Sequence, residues 1–316
     1  MPLASVVMVA GRGAAGSHDR IRPPMTATCT ETPVNRGPRM ASRVGRVLRN
    51  ERDAGGCHHL VVAVEGGWPD CGPGQFAMLS TDHPQFPILP RPFSLLGGLT
   101  GESGTQLEWM IMPVGVGTAL LCSLRAGEPL NVVGPLGRRM DEGLPDGDLI
   151  CVGGGYGIAP FIFMLDAWRR AGDARVGKTT VIFGARSGER LSQAARLPGG
   201  GVAVELCTDD GSRGFHGRVD ARLDQLLAAR AREGRPPAMV LSCGPEKMME
   251  AVGATAHKHG IAARASLETV MGCGYAVCNG CAVRVKDSRQ PDGYTWELAC
   301  REGTVFDEAR LLWHPL

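Results

Sequence analysis

The chain has 316 residues, of which 43% are hydrophobic and 21% are charged, and its net charge is +2. This composition is typical of a folded globular protein rather than a disordered one, and the length suits two domains with an appendage. No apolar run approaches the roughly 20 residues of a membrane span, and no basic stripe with interleaved aromatic residues is present, so we expect neither a membrane protein nor a nucleic-acid binder.

The first 40 residues differ from the rest of the chain. Residues 1–42 hold five arginines against two acidic residues, so the remainder is close to electrically neutral. The apolar stretch 3–10 has no positive charge before it, which is unlike a secretion signal. We expect 1–40 to be a disordered tail or a misassigned start, with Met25 or Met40 as the true initiator. The eleven cysteines, most of them scattered singly, are unlike a secreted disulfide framework and favour a cytoplasmic protein.

Residues 41–145 are predicted to form a small antiparallel barrel. Short apolar and β-branched runs are separated there by glycine- and proline-rich turns, which is typical of strands in a closed sheet. Only one segment, 117–125, has helical character. The predicted strands are 44–49, 59–65, 75–81, 93–97, 107–112 and 130–133.

The pattern changes after residue 145. Over 146–264 short apolar strands alternate with amphipathic helices, which indicates a parallel sheet with crossover connections. The predicted strands are 148–152, 180–185, 202–207 and 238–242, and the predicted helices are 160–171, 218–232 and 246–259. Residues 265–316 begin with a last strand, 265–268, and continue as a segment rich in loops and cysteines.

Four cysteines are concentrated in this last segment. Cys273, Cys278, Cys281 and Cys300 have the spacing C-x4-C-x2-C-x18-C, which is the ligand order of plant-type ferredoxins. Glycines beside them allow the backbone to approach the inorganic sulfides and donate N–H bonds. A structural zinc site and ordinary buried cysteines are the alternatives, although zinc usually takes two short C-x2–4-C pairs. The spacing favours a [2Fe–2S] cluster.

A glycine-rich turn ends the first strand of the predicted parallel sheet, directly before a helix. Such a turn lets a phosphate-bearing ligand approach backbone amides and the positive end of the helix. On its own it is equally compatible with a structural turn. A second loop, Cys243-Gly244-Pro245, ends a later strand of the same sheet, where ligands of open α/β sheets bind. The glycines of the first turn are Gly153, Gly154, Gly155 and Gly157.

Two short motifs place polar groups at element ends in the barrel segment. The first begins a strand and reads Arg91-Pro92-Phe93-Ser94. Arginine suits a pyrophosphate, and a hydroxyl can bond a flavin ring nitrogen. The second, Gly117-Thr118, opens the predicted helix, where a phosphate can bind. Either motif alone is compatible with a surface turn. The order of the motifs along the chain favours a role in ligand binding.

With these features in this order, the chain resembles the ferredoxin–NADP reductase superfamily over 41–316. It is most similar to the electron-transfer subunits of the NAD-dependent (class B) dihydroorotate dehydrogenases. The sharpest match is Ser266-Leu267-Glu268 leading into Met271-Gly272-Cys273-Gly274. Thr304, where the family has a proline, and the longer excursion 288–296 are departures from the family pattern. The resemblance implies an FAD-binding barrel over 41–145, an NAD-binding α/β domain over 146–264 and a [2Fe–2S] module over 265–316.

The same resemblance implies the roles of the site residues. NAD would bind between the two loops of the sheet, with Cys243 as the catalytic residue, and Arg186 and Arg190 keep NADP possible. The four cysteines would ligate the cluster. FAD would be bound by Arg91, Pro92, Phe93, Ser94, Met110, Ile111, Met112, Gly117 and Thr118. The nicotinamide nucleotide would be bound by Gly153, Gly154, Gly155, Gly157, Gly244 and Pro245.

The resemblance also implies an electron relay in pyrimidine biosynthesis. An FMN-containing catalytic subunit would oxidise dihydroorotate, and electrons would pass through [2Fe–2S] and FAD to NAD⁺ in a heterotetramer with two copies of each chain. A second hypothesis keeps the cofactors and makes the chain an NAD(P)H oxidoreductase subunit of a sulfhydrogenase or of a bifurcating complex. A third hypothesis, from another class, is a non-enzymatic metal-binding redox sensor without FAD.

Overall fold

The computed structural model describes residues 40–101 and 104–313. The expected tail or misassigned start lies outside these residues, apart from Met40. In the part of the chain that is described, no helix is long and apolar enough to cross a membrane.

Six antiparallel strands close into a barrel, which confirms the prediction for this part of the chain. Their order around the barrel is β1-β2-β5-β4-β3-β6. Inward-facing side chains such as Leu60, Leu107 and Trp109 are fully buried and fill the centre. The elements are β1 (Ala41–Arg52), β2 (His58–Val64), β3 (Phe76–Ser80), β4 (Arg91–Gly101), β5 (Gly104–Ile111), helix α1 (Val116–Ser123) and β6 (Pro129–Leu136).

The second half of the chain forms a seven-stranded sheet in the order β10-β9-β8-β7-β11-β12-β15, parallel except for β15. Its central strands β7 and β11 are buried at every residue. Alternate residues of β7 face opposite layers: Cys151 packs with helix α2, and Val152 packs with the side of α3 and α4. The elements are β7 (Leu149–Gly154), α2 (Ala159–Ala171), β8 (Thr179–Ala185), β9 (Ala203–Thr208), β10 (Phe215–His216), α3 (Val219–Arg232), β11 (Met239–Cys243), α4 (Glu246–Lys258) and β12 (Ala263–Ser266).

The cysteine-rich segment is attached to both halves. Its strand β15 extends the large sheet by pairing with β12, and the N–H of Leu267 donates to the Thr304 carbonyl at 2.8 Å. The buried hydroxyl of Thr304 donates to the carbonyl of Gly74 in the barrel at 2.8 Å. The elements of this segment are β13 (Ala282–Lys286), β14 (Tyr294–Leu298), α5 (Ala299–Glu302) and β15 (Val305–Asp307).

The barrel and the sheet pack directly on each other through helix α2 and strand β4. Phe163 of α2 is 2% exposed and belongs to the apolar core of the barrel. A Cβ at Gly98 of β4 would lie 3.7 Å from the Phe163 ring, an ordinary van der Waals distance, so β4 and α2 are in direct contact at this point. A cleft between the two halves therefore has walls from both.

Candidate functional site

The four cysteines predicted to bind the cluster lie in one loop and the start of α5. The sulfur atoms of Cys281 and Cys300 are 3.1 Å apart. Backbone N–H groups point at the sulfurs, that of Val277 at Cys273 Sγ at 3.3 Å and that of Ala276 at Cys300 Sγ at 3.2 Å. N–H donors of this kind stabilise thiolate ligands and the sulfides between them. The donor set therefore fits an iron–sulfur cluster.

The acidity of the cysteines differs across the loop. Burial tends to raise the pKa of Cys273, but backbone N–H donors, first that of Cys278, outweigh it and lower the pKa to about 7. Burial and the neighbouring Cys281 raise the pKa of Cys300 to about 12. Because the thiolate is the ligand form, metal binding has to displace the proton of Cys300. Within residues 40–101 and 104–313, no three or more His, Cys, Asp or Glu side chains are grouped so as to hold a single metal ion.

The cysteine loop lies directly on the barrel. Gly274 has a φ of +84°, and a Cβ there would lie 2.6 Å from Met78 Cγ of strand β3. Met78 is 1% exposed, and its partner across the β3–β4 pairing is Pro92. The predicted cluster ligands are therefore separated by one strand from the motif that begins at Arg91.

That motif and the start of α1 lie side by side, although strand β5 separates them in sequence. The guanidinium Nε of Arg91 lies 3.7 Å from the position of a Cβ at Gly117. The Thr118 hydroxyl accepts the N–H groups of Val114 and Gly115 at 2.9 and 3.0 Å and so shapes the turn before the helix. The first-turn N–H groups of α1 have no partner within the helix. Their position beside Arg91 suits the predicted pyrophosphate site, which stays a prediction.

The other predicted FAD residues lie in different surroundings. Ser94 is half-buried, and its hydroxyl makes no hydrogen bond within the described part of the chain, so it is free to bond a ligand. Phe93 packs against the barrel core and Met112 against the core beneath the sheet. Ile111 is 1% exposed, with its side chain in the barrel core, so only its backbone can reach a ligand. Met110 lines a cavity at the carboxyl ends of the parallel strands.

A cavity of about 780 Å³ lies at the carboxyl ends of β7, β8 and β9. The predicted residues Gly154, Gly155 and Pro245 line it, and the barrel contributes Cys57 and Met110. Most of the other residues that line the cavity were not predicted from the sequence. Lys247 could have been, because it lies in the first turn of α4, just after the Cys-Gly-Pro loop. Its charged lining comprises Arg186, Arg190, Arg218 and Lys247 against Asp209 and Asp220. An excess of cations in a cavity at this edge suits a dinucleotide.

The two predicted loops of the sheet touch each other. A Cβ at Gly157 would lie 2.5 Å from the backbone nitrogen of Gly244 and closer still to the carbonyl of Cys243. At Gly154, a Cβ would lie 3.1 Å from Pro245 Cδ. Gly155 has a φ of +55° with no atom within 4 Å of a Cβ. Glycine at 157 is therefore required by contact between the loops, Gly154 fits tightly against Pro245, and Gly155 has a left-handed backbone conformation that favours glycine or asparagine.

Cys243 lies in the core beneath these loops rather than in the cavity wall. It is 1% exposed and packs in the apolar cluster between the sheet and α2. Burial raises the pKa of its thiol, so the sulfur stays protonated. This environment is typical of a packing residue, and a catalytic role for Cys243 stays a prediction.

Two family models match the chain. Residues 268–312 match the iron–sulfur cluster binding domain of dihydroorotate dehydrogenase B, and residues 151–254 match the oxidoreductase NAD-binding domain. The dihydroorotate dehydrogenase B (NAD(+)) electron transfer subunit of Desulforamulus reducens is 31% identical over 241 residues, which cover 76% of this chain and 87% of that protein. The chain belongs to the family of dihydroorotate dehydrogenase B electron transfer subunits.

Other comparisons agree in family and in fold. The probable electron transfer subunit from Methanothermobacter thermautotrophicus is 32% identical over 234 residues, covering 74% of this chain and 77% of that protein. The structure of an NADH-dependent reduced ferredoxin-NADP oxidoreductase has a TM-score of 0.69 at 23% identity and covers 85% of this chain and 90% of that one. A ferredoxin NADP⁺ reductase from Neisseria gonorrhoeae with bound FAD and NADP has a TM-score of 0.57 at 18% identity, covering 69% and 92%. These two likenesses concern the fold.

Membership in the electron transfer subunit family decides between the hypotheses for the cysteine segment. The range that matches the iron–sulfur domain contains all four cysteines, so the cluster prediction is confirmed over the zinc alternative. The NAD-binding match spans the sheet and its cavity. The chain is an NAD-linked flavin and iron–sulfur oxidoreductase subunit, and the redox-sensor hypothesis is not supported.

Proposed function

We propose that the chain accepts electrons from an FMN-containing catalytic subunit that oxidises dihydroorotate and delivers them to NAD⁺ by way of a [2Fe–2S] cluster and FAD. The proposed assembly is a cytoplasmic heterotetramer with two copies of each chain. The main support for the proposal is that the cysteine loop packs on β3, one strand away from the Arg91–Ser94 motif. When bound, the cluster supplies one-electron transfer and the flavin supplies the exchange between single electrons and a hydride.

The surface around the cysteine loop supports a partner at the cluster. Cys278 is exposed, and the loop before β4 reaches the cysteines, because a Cβ at Gly272 would lie 3.8 Å from Leu89 Cδ1. Contiguous exposed apolar side chains mark interaction surfaces. We call this set the cluster rim; its members are Ile88, Leu89, Val270, Tyr275 and Val277. A partner docked on the rim would bring its own flavin close to the cluster.

The test of the partner is reconstitution. The purified chain, loaded with FAD and cluster, is mixed with an FMN-containing dihydroorotate dehydrogenase catalytic subunit, dihydroorotate and NAD⁺, and formation of NADH is followed. We expect transfer in the wild type and a loss of at least about tenfold in Ile88→Asp, because a carboxylate in an apolar interface costs a large desolvation penalty. Val44→Asp, at an exposed valine of the barrel strand β1, is the matched control and is expected to leave transfer unchanged.

Two results would contradict the proposed partner. Absence of NADH formation by the fully loaded wild-type pair would exclude this catalytic subunit as the donor. Equal effects of Ile88→Asp and Val44→Asp would place docking elsewhere than on the cluster rim. For the sulfhydrogenase or bifurcating alternative, the similar bifurcating oxidoreductase structure, at 23% identity, concerns the fold alone, whereas the named relatives favour dihydroorotate dehydrogenase.

FAD retention should depend on Arg91. Replacing it by alanine removes the guanidinium beside the start of α1, and the expected result is FAD binding weaker by roughly 10- to 100-fold, since a hydrogen bond to a charged group contributes about 1.5–3 kcal/mol. The measurement is the FAD-to-protein ratio after dialysis. Arg125→Ala, on the exposed side after α1, is the control. Unchanged FAD content in Arg91→Ala would remove Arg91 from the flavin site.

A further inference from the structure

A polar cluster joins the barrel to the sheet at one wall of the nucleotide cavity. The barrel contributes Asp53, from the turn between β1 and β2, and His59 of β2. The sheet side contributes Ser192 and Gln193, which belong to the 3₁₀ segment Gly188–Arg196 that follows β8. Ser192 and Gln193 line the cavity, whereas Asp53 and His59 do not. We call these four residues the Asp53 cluster.

Asp53 is the centre of this cluster. Its Oδ2 accepts the hydroxyl of Ser192 at 2.8 Å and the amide of Gln193 at 3.0 Å. Its Oδ1 accepts the backbone N–H of Cys57 at 2.9 Å, which holds the carboxylate to its own turn. The side chain of Asp53 is 16% exposed, so its bonds to the sheet side compete little with water. Two hydrogen bonds thus fix the cavity wall to the barrel.

His59 adds a contact whose nature depends on a proton. Its Nε2 lies 2.8 Å from the Gln193 Nε2 and 3.2 Å from Asp53 Oδ2, and its Nδ1 lies 3.7 Å from Glu108 Oε1. An amide nitrogen only donates, so the contact with Gln193 is a hydrogen bond only while His59 Nε2 carries no proton. Protonation strengthens the contacts with Asp53 and Glu108. It also points the Nε2–H of His59 at the amide N–H of Gln193, so the hydrogen bond between these two side chains is lost.

The charged neighbours of His59 favour its protonated form. Glu108 of β5 and Asp53 face the ring, and Arg196 of the 3₁₀ segment donates to Glu108 at 2.9 Å. His58 is the adjacent titratable group on β2. The nearby carboxylate of Glu108 is the largest effect, and together with Asp53 it outweighs burial and raises the pKa of His59. The protonated form therefore persists to higher pH than in an ordinary histidine.

We propose that Asp53 and His59 are positioning residues that hold the Ser192–Gln193 wall of the cavity and thereby set its affinity for the nicotinamide dinucleotide. This inference rests on the proposed nucleotide site. Asp53 holds the wall whether or not His59 is protonated, because its two acceptor bonds do not change. His59 holds it only when neutral. Affinity therefore falls as the pH is lowered through the pKa of His59.

The experiment measures binding of NAD⁺ to the loaded protein by titration calorimetry across pH. We expect Asp53→Ala to weaken binding by about tenfold, while Asp53→Asn, which keeps an acceptor oxygen, recovers part of the loss. His59→Gln is expected to bind NAD⁺ with an affinity that no longer falls at low pH. The control is Asp166→Ala, which removes a carboxylate of α2 that bonds Arg196 at 3.4 Å on the same interface but outside the Asp53 cluster.

The outcomes separate this inference from the proposed function. If wild-type protein binds no NAD⁺ at any pH, the nucleotide site itself is wrong. If the wild type binds and Asp53→Ala binds equally well, or if Asp166→Ala loses as much affinity as Asp53→Ala, the positioning role is wrong. Thermal melting and FAD content show whether Asp53→Ala folds. Where it does not, the pH dependence decides, because an unchanged slope in His59→Gln overturns the inference.

Discussion

Replacing Cys278 by alanine is expected to abolish the [2Fe–2S] cluster while FAD stays bound. Four cysteine thiolates hold the two irons of such a cluster, so the loss of one leaves an iron without its full ligand set. Cys278 is exposed, so alanine removes little buried surface; the N–H of Gly280 lies 3.4 Å from its sulfur. The measurement is the iron content and visible spectrum of anaerobically purified protein. We expect near-complete loss of iron, with reduction of the flavin by NADH retained.

The control for this experiment is Cys122→Ala, which changes a half-buried cysteine of helix α1 outside the cluster-binding segment. Its iron content and spectrum are expected to equal those of the wild type. Full iron and an unchanged spectrum in Cys278→Ala would show that Cys278 is not a ligand. Zinc in place of iron in the wild-type protein would contradict the cluster itself.

Replacing Gly157 by alanine is expected to destabilise the protein and to abolish NAD⁺ binding together. The added Cβ meets the backbone of Cys243 and Gly244, which cannot move aside as a flexible side chain can. Overpacking of this kind typically costs about 1–3 kcal/mol, and the cost falls on the contact that holds the two loops of the nucleotide site together. Urea unfolding measures the loss of stability, and calorimetry with NAD⁺ measures the loss of binding.

Gly155→Asn is the control for the stability measurement. The position has a positive φ, which asparagine tolerates, and a Cβ there meets no atom within 4 Å. We expect its free energy of unfolding to be much closer to that of the wild type than that of Gly157→Ala. A Gly157→Ala protein with wild-type stability and NAD⁺ affinity would show that the loops separate without cost and do not jointly form the site.

The relative positions of the cysteine loop, the Arg91–Ser94 motif and the cavity suit electron transfer in one direction. The cysteine loop lies on β3, the Arg91–Ser94 motif begins the neighbouring strand β4, and the cavity predicted to bind the dinucleotide has walls from both the barrel and the sheet. The cluster rim faces solvent, whereas the cavity is lined by residues of both halves. Such an arrangement suits entry of electrons at the rim and their exit at the cavity.

Local sequence patterns were enough for the class of fold and for the iron–sulfur centre. Alternating apolar residues and regular turns predicted all six barrel strands, because the period of a strand is visible over a few residues. The alternation of strands and helices after residue 145 predicted the parallel sheet for the same reason. The cysteine spacing predicted the ligands, because three of the four lie within one loop whose geometry is local. The family resemblance added FAD and NAD to this reading.

Only the tertiary structure decided how these parts meet. Asp53 and Ser192 are 139 residues apart in sequence, and the local sequence around either residue does not predict their hydrogen bond. The family resemblance implied a catalytic role for Cys243, which stays a prediction, and only the structure showed that its side chain packs in the core against α2. Strand β15 has only three residues, and it forms because its backbone pairs with that of β12. Contacts between distant segments depend on how whole elements pack, and the sequence determines that only through the complete fold.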